Sequence, residues 1–291
     1  MRTNRMSRIA LVALAALALG ACRATADVNV GDDDSEAATE PDAATELELV
    51  EEGTLTVCSD IPYPPFEFED PDAPGEYTGY DIDLMQAVAD GLDLTLEVKD
   101  TDFTAIETGA SLQAGECDVL ASSITITEER AEQIDFTQPY FDADQSLLIR
   151  ADDAETYTSL EDLAGETIGV QAGTTGADYA QENAPAGTEI KEFGEADAMF
   201  LALSSGDVEA LLQDFPVNAY RATQDPTFTV TETFPTGEEY GFGVKKGNTS
   251  LLDAINDQLD ALHESGDFDA IFATYFGEPQ DDASDAASED G

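Results

Sequence analysis

Between residues 54 and 265 short apolar runs alternate with amphipathic stretches, and this alternation restricts the fold more than any other feature of the chain. Strand-like runs fall at Thr54–Cys58, Leu94–Val98, Cys117–Ser123, Thr167–Val170, Glu189–Phe193 and Val208–Leu212, and Tyr240–Val244 is strand-like as well. Helical periodicity marks Tyr80–Gly91, Thr104–Gln113, Thr127–Gln133, Gly176–Asn183, Ala196–Ser204 and Ser250–Ser265. In the first of these helices Leu84, Met85, Val88 and Leu92 share one face. In the last, Leu251, Leu252, Ile255, Leu259 and Leu262 do so, and Gly266 follows as a C-terminal glycine. Strands alternating with helices predict an α/β fold with largely parallel sheets. No internal repeat is evident, although the two halves have similar layouts.

The ends differ in composition from this region. Arg2, Arg5 and Arg8 precede the apolar run Ile9–Leu19, which is too short to span a bilayer, and Leu19-Gly20-Ala21-Cys22 follows. Residues 1–21 therefore read as a secretory signal, with a lipobox-like end that implies lipid on Cys22. Residues 22–46 and 278–291 are acidic, small and poor in large apolar side chains. They are expected to be a disordered tether and a disordered tail.

The chain carries 11 Lys+Arg against 64 Asp+Glu, a formal charge of −53. Cleavage before Cys22 removes three arginines and no acid, leaving 8 basic against 64 acidic residues and a charge of −56. That balance excludes nucleic acid as a partner, because phosphate binding needs basic patches. Acids spread over the whole chain repel one another unless salt screens them, which predicts a salt-adapted protein. No loop has the acid and glycine spacing of a calcium hand. With Cys22 assigned to lipid, Cys58 and Cys117 are left in an oxidising compartment, as a disulfide or as two buried thiols.

Four loops that follow strands carry the polar chemistry. Open α/β sheets bind ligands at the carboxyl ends of their strands, so these loops are placed to converge. In Ser122-Ser-Ile-Thr-Ile-Thr-Glu-Glu-Arg130, Thr127 reads as a helix N-cap, which puts Arg130 in the first turn, where a cation opposes the helix dipole. Arg130 is thus suited to grip an incoming carboxylate; a salt bridge to a neighbouring acid is the alternative. Ser59-Asp60-Ile-Pro-Tyr63-Pro-Pro-Phe66 is stiffened by three prolines, with Tyr63 read as facing the ligand and Phe66 as core. Gln171-Ala-Gly173-Thr-Thr175 runs from strand to helix without the lysine of a phosphate loop, so either a small carboxylate or a plain turn fits it. Gln213-Asp214 ends an apolar strand, where a carboxylate can accept from an ammonium or simply be solvated. One arginine, one acid, hydroxyl donors and aromatic walls together fit a zwitterionic amino acid. The single histidine, His263, reads as a surface residue, so no two-histidine metal site and no histidine-activated nucleophile is available away from it. No cofactor is expected.

Leu55-Thr-Val-Cys-Ser-Asp-Ile-Pro-Tyr-Pro-Pro-Phe66, Gly79-Tyr-Asp-Ile-Asp-Leu84, Ser122–Arg130, Ile134-Asp-Phe-Thr-Gln-Pro-Tyr140, Gly173-Thr-Thr175 and Tyr240-Gly-Phe-Gly243 resemble, in order, the polar amino-acid family of bacterial solute-binding proteins that serve ATP-driven (ABC) importers. The resemblance covers residues 47–277. It implies a two-lobe periplasmic-binding-protein type II fold with two crossing strands: lobe 1 from 47–143 and 241–277, and lobe 2 from 145–240. Carried over by position, it implies that Arg130 holds the α-carboxylate with Ser123, Thr125 and Thr175, and that Asp214 takes the α-ammonium. Tyr63 and Phe103 would wall the side chain, and Asp60, Ser122, Gln171 and Gln213 would read its polar end. The implied function is a lipid-anchored, monomeric receptor outside the cytoplasm that hands a polar or basic L-amino acid to membrane permease subunits. Arginine or lysine stands slightly ahead of glutamine or glutamate. A dehydratase-type enzyme on the same fold, or a sensory partner of a membrane receptor, are the alternatives.

Overall fold

The computed structural model describes residues 47–277; the expected signal, lipidated Cys22, tether and acidic tail lie outside the described residues. The chain builds two five-stranded sheets. The first has the order β4-β1-β5-β12-β6, from β1 (Thr54–Ser59), β4 (Thr95–Asp100), β5 (Val119–Leu120), β6 (Ile134–Phe136) and β12 (Gly243–Lys245). Here β1 is parallel to β4 and β5, while β12 is antiparallel to β5 and β6. The second sheet has the order β11-β7-β10-β8-β9, from β7 (Phe141–Arg150), β8 (Thr167–Gln171), β9 (Glu189–Phe193), β10 (Ala210–Asp214) and β11 (Phe228–Tyr240). β2 (Phe68–Glu69) and β3 (Tyr77–Thr78) form a small separate hairpin. The chain passes from the first sheet to the second along β7 and returns along β11. These two strands pair antiparallel from Phe141↔Tyr240 to Arg150↔Phe228. This is the type II two-lobed α/β architecture.

The apolar periodicities account for the packing. Helix α1 (Tyr80–Gly91) buries Leu84, Met85 and Val88 against Leu55 and Val57 of β1, and α8 (Thr249–Ser265) adds Leu251, Ile255 and Leu259 to the same core. α9 (Asp267–Phe276), which the sequence pattern does not announce, follows Gly266 and sets Phe268, Phe272 and Phe276 around Tyr80. In the second lobe Leu147, Ile149, Ile168, Val170 and Leu212 form one core. α6 (Ala196–Ser205) covers the other sheet face with Met199, Phe200 and Leu203. His263 is exposed and stacks on Phe268 at 3.8 Å. Cys58 of β1 and Cys117, two residues before β5, are joined as a disulfide with Cα atoms 5.8 Å apart.

Three expectations need correction. The single helix over Thr104–Gln113 is two short ones, α2 (Phe103–Glu107) and α3 (Ala110–Ala114), because Gly109 between them adopts φ +67°. The helix Thr127–Gln133 is the shorter α4 (Glu128–Ala131). The strand Cys117–Ser123 shrinks to Val119–Leu120, since the chain leaves the ladder at Ser122–Ser123, where Ser123 takes φ +48°. That departure turns two serines away from the sheet and into the space between the lobes.

Candidate functional site

The predicted site residues other than Gln213 line one cavity between the lobes, joined by Thr174. The cavity measures about 20 Å³, room on the scale of one water molecule. A roomier groove of about 670 Å³ lies elsewhere, against Phe141, Phe215, Pro216, Tyr220, Tyr275 and Phe276. It is open, its apolar residues stand beside the acids Asp142, Asp144, Glu238 and Glu239, and no cation lines it, so the small cavity, with groups of both charges, is the better candidate.

Arg130 comes from α4 as anticipated. Thr127 caps that helix, its hydroxyl accepting from the Arg130 amide at 3.1 Å. Arg130 is 7% exposed, and its guanidinium lies over the Phe103 ring at 5.5 Å. It donates from Nη1 to the Thr125 carbonyl and from Nη2 to the Gly173 carbonyl, both at 2.9 Å. Gly173 has φ +77°, and a Cβ there would stand 3.2 Å from Glu107, so glycine lets its carbonyl come this close. None of the ion pairs among the described residues involves Arg130. The salt-bridge alternative is therefore unmet, and burial without a contacting acid draws the Arg130 pKa down. Ser123, at the same end, carries a buried hydroxyl with no partner.

Across the lobes, Asp214 ends β10. It is buried and accepts from the hydroxyls of Tyr63 (3.0 Å) and Tyr240 and from the Gln145 amide. Burial and nearby Glu238 push its pKa up to about 6, against the lowering effect of these donors. Helix α7 (Phe215–Gln224) starts immediately after it with Pro216 in its first turn. Gln145 also donates to Glu238 at 3.0 Å, and Glu238 in turn accepts from the hydroxyls of Thr125 (2.8 Å) and Thr175 (2.6 Å). One carboxylate on crossing strand β11 thus ties a hydroxyl of each lobe. Sequence reasoning missed Gln145 and Glu238, which sit on the two crossing strands and carry no local signal in so acidic a chain.

The other end of the cavity is anionic. Asp60, 6% exposed, accepts from the Gln171 amide of the opposite lobe, and its own amide donates to the Ser122 hydroxyl at 3.0 Å. Burial, followed by Glu195, Asp100 and Asp102, pushes its pKa up to about 7, although the Gln171 bond opposes the rise. Gln213 does not line this cavity. It alternates with Asp214 along β10, and its amide donates to Asn218 at 2.8 Å. The cavity is therefore electrically polarised, with a lone cation and free donors at one end and a desolvated acid at the other.

Two lobes, two crossing strands and a polar cavity between them define a class of protein, the two-lobed solute receptors of type II fold. The chain belongs to the bacterial extracellular solute-binding proteins, family 3, whose model matches residues 55–278. It is 29% identical over 229 residues to the L-cystine-binding protein TcyJ of Escherichia coli (strain K12), covering 78% of this chain and 84% of that protein. The ABC transporter glutamine-binding protein GlnH of Bacillus subtilis (strain 168) is 32% identical over 208 residues, covering 70% of this chain and 74% of that protein. Among solved structures, an ancestral arginine-binding protein bound to glutamine superposes with a TM-score of 0.73 at 38% identity, covering 78% of this chain and all of that one. The family supports amino-acid binding for ABC import. Among the described residues no helix is long and apolar enough to cross a membrane.

Proposed function

We propose that this protein captures a polar or basic L-amino acid, arginine or lysine slightly ahead of glutamine or glutamate, and presents it to an ABC permease as a receptor rather than an enzyme. The observation that carries the reading is Arg130: a buried guanidinium bound to two carbonyls and, among the described residues, to no acid. A buried cation in that state is completed by an incoming carboxylate. In this reading Arg130, Ser123, Thr125 and Thr175 receive the α-carboxylate, Asp214 takes the α-ammonium, and Tyr63 and Phe103 flank the side chain. Asp60, with Ser122 and Gln171 beside it, meets the distal cation. Because Arg130 and Asp214 stand on different lobes, the ligand favours the closed state by contacting both.

The same proposal places the protein outside the cytoplasm as a monomer held to the membrane by lipid on Cys22, with a surface adapted to salt. Mass spectrometry of the membrane-extracted protein tests the lipid, and a melting temperature that fails to drop as salt is removed would contradict the adaptation. The ligand is tested by a thermal-shift screen of the twenty amino acids in molar salt. A ligand that binds only the folded state raises the melting temperature, and arginine or lysine is expected to raise it most. A response led by glutamine or glutamate would overturn the preference for a basic ligand.

A further inference from the structure

Beneath the cavity floor lie two acids that the proposed ligand contacts do not use. Glu67 and Asp81 are both 0% exposed. The Tyr80 amide donates to the Pro65 carbonyl and the Asp81 amide to the Phe66 carbonyl, each at 3.0 Å, which sets the start of α1 against residues 65–67. Gly79 makes this approach possible, because at φ +131° a Cβ would fall 2.1 Å from the Phe66 carbonyl oxygen.

Each acid anchors one residue of the Ser122–Ser123 turn. Ser122 Oγ donates to Glu67 Oε1 at 2.7 Å. The Ser123 amide donates to Asp81 Oδ2 at 2.8 Å, and the Tyr140 hydroxyl donates to the same oxygen at 2.8 Å. The second oxygen of each, Glu67 Oε2 and Asp81 Oδ1, is buried without a partner. The titratable groups facing the pair are Asp60, Asp214, Tyr63, Tyr80 and Tyr140, and none of the ion pairs among the described residues involves either acid. Two adjacent carboxylates cannot both stay ionised in such surroundings. Burial and the neighbouring Asp81 hold the Glu67 carboxyl well above its usual range, while burial raises Asp81 to about 7.

We propose that Glu67 and Asp81 hold one proton between them, as a Glu67 Oε2–H donating to Asp81 Oδ1, and that this pair positions the Ser122–Ser123 turn under the ligand. Asp81, with two donors on one oxygen, is the ionised partner; Glu67, which receives one serine hydroxyl, is the acid. The proton joins the two orphaned oxygens and so fixes both anchors of a turn that holds Ser123 in the left-handed region. The effect on binding rests on the amino-acid reading of the cavity, whereas the proton itself does not.

The test compares the full-length protein with E67Q and E67A in molar salt. The native fold keeps a proton at Glu67 that the unfolded chain releases. The folding equilibrium constant of the parent should therefore fall about tenfold more per pH unit than that of E67Q between pH 5 and 7. At pH 7 the infrared band of a protonated carboxylic acid should be present in the parent and weaker by one group in E67Q. Coincident pH slopes and identical infrared bands would overturn the shared proton. For positioning, E67A should weaken binding of arginine at least tenfold, and E67Q, whose amide can donate where the acid did, should restore most of that loss. Equal arginine binding by E67A and the parent would overturn the positioning role. If no amino acid binds the parent, the cavity reading fails, and the pH slope still decides the proton.

Discussion

Replacing Arg130 by methionine tests the cavity most directly, because it removes the charge and the donors while keeping most of the volume. Arg130 is 7% exposed, and its guanidinium makes two 2.9 Å bonds to carbonyls, one in each lobe. Losing those bonds leaves two carbonyls short of a donor, at about 1–3 kcal/mol. That cost is offset by removal of a buried cation that has no contacting acid. Stability should therefore move by about 1 kcal/mol or less, which is a shift of about 2–4 °C for a domain of this size. Binding should behave differently. A ligand carboxylate facing methionine is a buried charge without its partner, a loss of about 3–5 kcal/mol. At about 1.4 kcal/mol per tenfold, affinity falls by roughly two to three and a half orders of magnitude. R130K keeps the charge but not the fork, and should lose the equivalent of one charge-assisted bond, about 1.5–3 kcal/mol or roughly 10- to 150-fold. Isothermal titration with the best ligand of the screen, beside melting curves of each variant, measures both quantities. R130M that folds and binds within threefold of the parent would refute the carboxylate assignment.

Three further outcomes follow from the geometry. D60N should cost arginine about 10- to 150-fold in affinity, the loss of one charge-assisted bond, and cost glutamine less, because its neutral amide loses no ion pair, as read by titration with both ligands. The Asp60 and Asp214 pKa values, at about 7 and 6, lie above their ordinary value, so acidification neutralises the groups that meet a cationic ligand. Arginine affinity should fall from pH 8 to 5. The ligand-free fold gains stability over the same change, because its raised pKa values favour protonation, so the arginine-induced melting shift should be larger at pH 8 than at pH 5. Reducing the Cys58–Cys117 bond, which spans a sequence separation of 59, should cost about 2–4 kcal/mol in denaturant unfolding, and coincident curves with and without reductant would contradict that.

The fold was largely legible because its signals are local and periodic. Tyr80–Gly91 and Glu189–Phe193 appear with the boundaries their patterns predict. Failures occur where tertiary structure overrides pattern. A glycine inside a helical period broke α2 from α3, and a serine turn cut β5 short. The long crossing strands mix buried and exposed positions without regular alternation, and β11 carries bulges, so their period was hidden. The lining of the candidate cavity was legible where it comes from loops after strands. Gln213 was misplaced because strand alternation sends it opposite to Asp214. Glu238 and Gln145 act through contacts between segments about 90 residues apart in sequence, a relation no window on the chain can show.

The acidity of the chain has two separate physical meanings. On the surface it is a field that salt screens, and individual acids there are interchangeable. Within the cleft Asp60, Glu67, Asp81 and Asp214 are buried, and each has its carboxyl raised by desolvation. The one buried arginine of the cleft faces Asp214 across the lobes without touching an acid, so this cluster is under-compensated in cations. A zwitterion with a neutral side chain adds no net charge to it. A basic amino acid adds one positive charge, and the acid cluster gains most if that charge lies next to Asp60, where Glu195, Asp100 and Asp102 add to the field. Asp60 alone does not separate arginine from glutamine, since a carboxylate can accept from an amide as well as from a guanidinium. In the proposed function it is the net charge of the buried set that favours the cation, and the pH dependence of arginine binding tests it.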